Sequence, residues 1–320
     1  MKRLHRLCVA PMMDWTDRHC RYFLRLVCPQ AFLYTEMITT GALLHGNREQ
    51  HLAFDRAEHP LALQLGGGEP DELAVCARLA AARGYDEINL NLGCPSERVQ
   101  RGAFGACLMA EPALVAECID AIRAAVPIPV SVKHRLGIDD IDSYAFVRDF
   151  VGTLADAGCG IFIVHARKAL LKGLSPKENR EVPPLDYQRV YRLKRDFPQL
   201  EIVLNGGIAS WPEIEAHLAQ VDGVMLGRAA YQHPWLLASP GKRRADVVHA
   251  MHRYATREVA AGTALRHITR HLLGLYHGEP RARLWRRMLS DAARLARNDP
   301  VLLLDALAAV DSAGAVAAAA

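Results

Sequence analysis

The chain has 320 residues, 51% of them apolar and 23% charged, with a net charge of +4. That is enough to bury one large core and a smaller one, and too little charge imbalance to demand an anionic partner on composition alone. No run approaches the ~20 apolar residues that a membrane-spanning helix needs, so no membrane contact is expected.

Eight cysteines, from Cys8 to Cys159, are scattered through the first half, and none forms a C-x-x-C pair. This excludes a zinc ribbon or a thioredoxin motif, so no metal is expected. The thiols read as reduced ones in a cytoplasmic protein. Met1 to Arg6 is basic with no long apolar run behind it, so no secretory signal is expected.

Taken in order, short apolar runs lie at 7–11, 32–37, 61–65, 88–92, 129–133, 161–165, 202–205 and 224–226, each ending at or next to a polar residue, proline or glycine. Helical spacing fills most of the gaps. Pro70, Asp71 and Glu72 start one helix, with Leu73, Ala77 and Ala80 on one stripe and Gly84 at its end. Leu114, Cys118 and Ile122 mark a second, Tyr144 to Ala157 a third, and Ser210-Trp211-Pro212-Glu213 caps a fourth. Eight strand–helix alternations predict an α/β fold, a (β/α)8 TIM barrel over residues 1–240. A doubly wound sheet is disfavoured because the first strand runs into Ala10-Pro11-Met12-Met13-Asp14, with no G-x-G-x-x-G turn.

Lys242-Arg243-Arg244 reads as a linker. Residues 241–312 show no strand pattern and predict a small all-helical C-terminal domain, with helices over 247–261, 264–276, 281–297 and 301–310. The Ala-rich stretch 313–320 is expected to be a frayed tail.

The strand ends carry the chemistry. In Glu87-Ile88-Asn89-Leu90-Asn91-Leu92, three apolar residues face one way and Asn89 and Asn91 the other; Gly93 and Pro95 then hold Cys94 past the strand. In a parallel barrel that is the rim where active sites form. Gln64, Lys133 and His165 close three more strands. Asn205-Gly206-Gly207 and Gly227-Arg228 close the last two, where glycine turns let backbone N–H groups approach a phosphate. Arg283, Arg287 and Arg294 share one helical stripe, with Leu284, Met288 and Leu295 beside it facing inward. Arg266, Arg270 and His271 add further basic groups.

These motifs, with Asn179-Arg180-Glu181-Val182-Pro183-Pro184-Leu185 and Leu284-Trp285-Arg286-Arg287, resemble the flavin-dependent tRNA-dihydrouridine synthases, specifically their A-type bacterial branch. The resemblance runs from about Val9 to Asp291. It implies FMN as cofactor, NADPH as reductant with NADH open as an alternative, and tRNA as partner, with no obligate protein partner. The implied reaction saturates the uracil C5=C6 bond of D-loop uridines at positions 20 and 20a. Cys94 would donate the proton to C5. Pro11, Met12, Met13, Gln64, Lys133, His165, Asn205, Gly206, Gly207, Gly227 and Arg228 would hold FMN. Asn91, Lys177, Arg180, Arg283 and Arg286 would meet the tRNA.

Two other readings share parts of this pattern: a flavin barrel acting on a free small molecule, and an RNA-binding protein whose barrel is only a scaffold. Deleting the helical domain should abolish tRNA reduction under the leading reading and leave small-molecule turnover largely intact under the first of these; a colourless protein would favour the second.

Overall fold

The structure is a computed structural model and describes residues 4–311. Eight parallel strands form one sheet: β1 (Leu7–Val9), β2 (Leu33–Thr39), β3 (Leu61–Gly66), β4 (Glu87–Leu92), β5 (Val130–Arg135), β6 (Ile161–His165), β7 (Glu201–Asn205) and β8 (Gly223–Leu226). Each strand pairs with the next in sequence from β2 to β8, and β8 pairs with β1. A parallel bridge between Cys8 and Phe32 closes the ring. The expected barrel is therefore present, and every predicted apolar run is one of its strands.

Local signals account for the connecting helices. Pro70–Arg83 begins with Pro at its first turn and ends at Gly84 with φ +100°. Trp211–Leu218 is capped by Ser210, whose hydroxyl accepts from the Glu213 N–H. Tyr144–Asp156 is capped by Ser143 and buries Val147, Phe150, Val151 and Leu154.

The barrel interior has two kinds of lining. Cys8, Ala10, Phe32, Tyr34, Ala62, Ile163, Val203 and Met225 form an apolar cluster. Along β3, β4 and β5 the inward positions are polar instead: Gln64, Glu87, Asn89, Asn91 and Ser131, all buried.

The chain divides into two compact units, which differ from the expected single cut near residue 240. One holds residues up to Thr16 with Ala31–Gly227; the other holds Asp17–Gln30 with everything from Arg228 onward. Helix Arg18–Val27 thus belongs to the second unit. Its Tyr22 ring stacks on Tyr254 with centroids 4.0 Å apart, and His19 Nδ1 bonds the Tyr254 hydroxyl at 2.6 Å.

Within the second unit two of the four expected helices are shorter than their periodicity implies. Arg244–Ala260 and Leu302–Asp311 match two expected helices closely. The segment 264–276 is helical only over Arg266–Thr269. Gly274 comes so near the Gln232 carbonyl that a Cβ would sit 2.5 Å from its oxygen, a tight approach made by turns rather than by continuous helix. The segment 281–297 splits into Ala282–Ser290 and Ala292–Ala296, because Asp291 turns extended and its carboxylate caps the Arg294 N–H. Arg294 therefore does not continue the stripe of Arg283 and Arg287. The inward face of Ala282–Ser290 is Trp285, Met288 and Leu289. The tail 313–320 lies outside the described residues.

Candidate active site

All eight strands point the same way, so their C-terminal ends share one rim. Gln64, Asn91, Lys133, His165 and Asn205 come from five consecutive strands of it. Asn91 lies opposite Lys133, Arg135 opposite His165, and His165 opposite Asn205 in the strand registers.

Cys94 sits on the turn between β4 and helix Glu97–Arg101, which Ser96 caps. It and Cys107 are partly exposed, whereas the other six cysteines are buried. The turn is held from four sides. Asn91 Oδ1 accepts from the Gly93 and Cys94 N–H groups, both at 3.1 Å. The Cys94 carbonyl accepts from the Ala106 N–H at 2.9 Å. Gly105, at φ +78°, packs so closely that a Cβ would lie 2.7 Å from that carbonyl oxygen. Gln100 Nε2 donates to the carbonyls of Pro95 and Leu171. Arg135 Nε donates to the Gly93 carbonyl at 2.9 Å, and its Nη1 to those of Lys168 and Asn179. Asn179, fully buried, orders the loop after β6 through bonds to Leu170, Leu174 and Ser175.

The electrostatics are strongly positive. Burial, with the neighbouring Arg135, pushes the Lys133 ammonium down to about 7. No acidic side chain among the described residues pairs with it. Burial likewise lowers Arg135, to about 10, and Cys94 acts electrostatically on both cations, so its sulfur belongs to the same cluster. Burial and the charges of Arg135, Lys133, Arg167 and Arg180 hold His165 neutral. Arg167 donates to the Glu181 and Pro183 carbonyls. Lys177 and Arg180 are exposed on the same loop.

Gln64 is buried, and its amide is engaged on both sides: Nε2 donates to Asn89 Oδ1 at 2.7 Å, and Oε1 accepts from Asn91 Nδ2 at 2.9 Å. One N–H and one lone pair remain. Asn205 Nδ2 donates to the Met225 carbonyl at 2.8 Å. Gly206 and Gly207 have φ of +122° and +74°; a Cβ would meet His165 at 2.9 Å in the first case and Leu185 at 2.7 Å in the second. At Gly227 a Cβ would meet Ala10 at 3.9 Å and Met12 Sδ at 4.0 Å, ordinary contact distances that do not crowd that backbone. The turn after β1 is stapled by Thr16, whose hydroxyl accepts from the Met12 N–H at 2.9 Å; Pro11 and Met12 are half-buried there and Met13 is exposed. Arg228 is exposed and is the first residue of the second unit.

In the second unit Arg283, Arg286 and Arg287 are exposed on Ala282–Ser290. With His277 and Glu279, Arg283 and Arg286 line an open groove. Arg270 and His271 have another use. Both bond Asp17 Oδ2, at 2.7 and 3.0 Å, while Asp17 Oδ1 caps helix Arg18–Val27 through the His19 and Cys20 N–H groups. His271 is buried, so it does not belong to a basic surface.

Sequence reasoning did not identify Arg135, Gln100 and Gly105 as the scaffold of the Cys94 turn. Their roles depend on carbonyls brought close by folding, which leave no spacing pattern.

A model of the dihydrouridine synthase family matches residues 8–311. The tRNA-dihydrouridine(20/20a) synthase of Vibrio cholerae serotype O1 is 60% identical over 299 residues, covering 90% of this chain and 91% of that protein. The protein of the same name from Escherichia coli K12 is 59% identical over 313 residues, covering 94% and 90%. Among solved structures, morphinone reductase aligns with a TM-score of 0.53 at 12% identity, over 72% of this chain and 84% of that one, a likeness of fold. With a family match across nearly the whole chain and relatives this similar over about nine-tenths of their length, the protein belongs to the dihydrouridine synthase family.

Proposed function

We propose that this protein reduces uridine to 5,6-dihydrouridine in the D-loop of tRNA, at positions 20 and 20a, with FMN as its cofactor and NADPH as reductant. The observation that carries the reading is Cys94 on a half-exposed, rigidly held turn beside a half-buried lysine that lacks an acid partner.

The residues fit FMN. Lys133, unpaired, is suited to the electron-rich pyrimidine edge of the ring system. Gln64 retains one N–H and one lone pair for ring C=O and N–H groups, and neutral His165 can donate or accept. Pro11, Met12 and Met13 offer an apolar edge. Asn205 and the backbone of Gly206, Gly207 and Gly227, with Arg228, suit a phosphate. When bound, FMN supplies the hydride added at uracil C6.

Cys94 does the complementary work. Hydride addition at C6 builds enolate charge, and the Cys94 Sγ proton passes to C5 to quench it. One hydride and one proton, together two electrons and two hydrogen nuclei, then saturate the bond, and solvent restores the thiol proton. Asn91, by holding the Gly93 and Cys94 N–H groups, keeps Sγ aimed at the rim.

Extruding a uridine from its stack costs a few kcal/mol, which phosphate contacts must offset. Lys177 and Arg180 in the first unit, and Arg283 and Arg286 in the second, are the proposed contacts. The test is incubation of the purified protein with an unmodified tRNA transcript and NADPH, followed by mass mapping. A 2 Da gain confined to positions 20 and 20a is expected; a colourless protein, or an unchanged transcript, overturns the proposal.

A further inference from the structure

A chain of hydrogen bonds runs through the barrel interior from the Cys94 turn to the opposite rim, and as far as Glu87 every donor points the same way. The Gly93 and Cys94 N–H groups donate to Asn91 Oδ1. Asn91 Nδ2 donates to Gln64 Oε1, Gln64 Nε2 to Asn89 Oδ1, and Asn89 Nδ2 to Ser131 Oγ at 2.7 Å. Ser131 Oγ donates to Glu87 Oε1 at 2.5 Å. The other Glu87 oxygen accepts from His5 Nε2 at 2.7 Å, and His5 Nδ1 donates to Glu201 Oε1 at 3.1 Å. His5, Glu87, Asn89, Ser131, Gln64 and Asn91 are all buried.

The direction is not arbitrary. A carboxylate only accepts, so Ser131 must donate to it and has only lone pairs left for Asn89. Asn89 must therefore turn its NH2 to Ser131 and its oxygen to Gln64, and the same constraint passes to Gln64 and to Asn91. Backbone N–H groups at the far end are fixed donors and match the last oxygen. Burial would lower the His5 imidazole, but its hydrogen bonds to Glu201 and Glu87 outweigh it and raise the group to about 9, so His5 too can only donate.

We propose that Glu87, with Ser131 and His5, is a positioning residue: it dictates from the far rim which atoms the Gln64 and Asn91 amides present at the mouth. The proposal rests on the reading above, in which those two amides serve FMN and the uridine. Neither Glu87 nor Ser131 touches the Cys94 turn, yet an isosteric change at Glu87 should reach it. In Glu87→Gln the amide oxygen stays with the His5 donor, and the new NH2 faces Ser131. Each later amide then reverses, until Asn91 turns its NH2 against the Gly93 and Cys94 N–H groups and that contact is lost.

The experiment is amide hydrogen exchange and side-chain NH2 spectra of the full chain labelled with 15N at Asn, Gln, Gly and Cys, with FMN affinity measured in parallel. Expected in Glu87→Gln are new Gln64 and Asn91 NH2 positions, exchange at Gly93 and Cys94 faster by tenfold or more, and FMN affinity lower by about tenfold. Glu87→Asp, still an acceptor only, should leave the Gln64 and Asn91 spectra in place. Ser131→Ala cuts the chain at another link and serves if Glu87→Gln does not fold; it too should move the Gln64 and Asn91 signals. Folded Glu87→Gln or Ser131→Ala with Gln64, Asn91, Gly93 and Cys94 unchanged overturns the proposal. The exchange result stands apart from the reaction itself: wild-type protein unable to reduce uridine would sink the functional reading while leaving the chain intact.

Discussion

Arg135 Nε donates to the Gly93 carbonyl at 2.9 Å, joining the end of β5 to the residue just before Cys94. The guanidinium is buried and meets three carbonyls, with no carboxylate among its partners. Its role is therefore to fix two loops at once, the Cys94 turn and the segment after β6. Arg135→Met leaves those carbonyls without donors and should cost about 2–4 kcal/mol. Urea unfolding measures the loss. Iodoacetamide should also alkylate Cys94 faster in the variant, and an unchanged rate would mean that the turn is held by its other contacts.

Cys94→Ala removes one sulfur from a turn held by backbone and amide groups. FMN retention and tRNA affinity should persist while uridine reduction falls by about 10²–10⁴, the usual worth of a positioned acid. Single-turnover oxidation of the reduced flavin by tRNA reads this directly. Activity equal to wild type would take the proton donor's role away from Cys94.

Two bases, the buried His5 and the half-buried Lys133, push stability in opposite directions with pH. His5 is raised from 6.5 to about 9, so its contribution is full below about pH 6.5 and is lost as pH rises through 9. Lys133 is lowered from 10.5 to about 7, so the folded state binds fewer protons than the unfolded one between those values. Its effect therefore improves stability as pH climbs through that range. The flavin-free protein should show a shallow profile from pH 7 to 9. Lys133→Met should be more stable than wild type at pH 6 and should then lose stability more steeply toward pH 9. Thermal melts across that range test both signs, and a flat Lys133→Met profile would mean that His5 is not held charged.

Arginines of the second unit should separate into two kinds. Arg270 is tied to Asp17, whose carboxyl lies well below the ordinary range despite burial because His271 and Arg270 bond it. Arg270→Ala should lower stability by about 1–2 kcal/mol and leave the salt dependence of tRNA binding unchanged. Arg283→Ala with Arg286→Ala should do the reverse, flattening the slope of log affinity against log salt by about one per lost phosphate contact. Affinity titrations at several salt concentrations, beside melts, distinguish the two.

Much of this was written in the local pattern. Period-two alternation in Glu87–Leu92, a Ser cap at Ser210 and the turn at Gly84 are short-range signals, and each fixes its element without help from the rest of the chain. Eight such strands separated by helices allow few arrangements, so the barrel and its functional rim followed. Gln64, Asn91, Cys94, Lys133 and His165 could be named because a strand end is a position in sequence as well as in space.

What only tertiary structure decided is which polar groups satisfy one another. Nothing near Arg135 in the chain announces Gly93, Lys168 or Asn179 as its acceptors, and nothing near His271 announces Asp17. The helix expected over 281–297 broke at Asp291 because a side-chain cap there competes with continuation, which periodicity alone does not weigh. Most of all, the orientation of the Gln64 amide is a property of the whole interior. It is set by a carboxylate on β4 through a serine on β5, and a buried amide adopts whichever face its neighbours leave it.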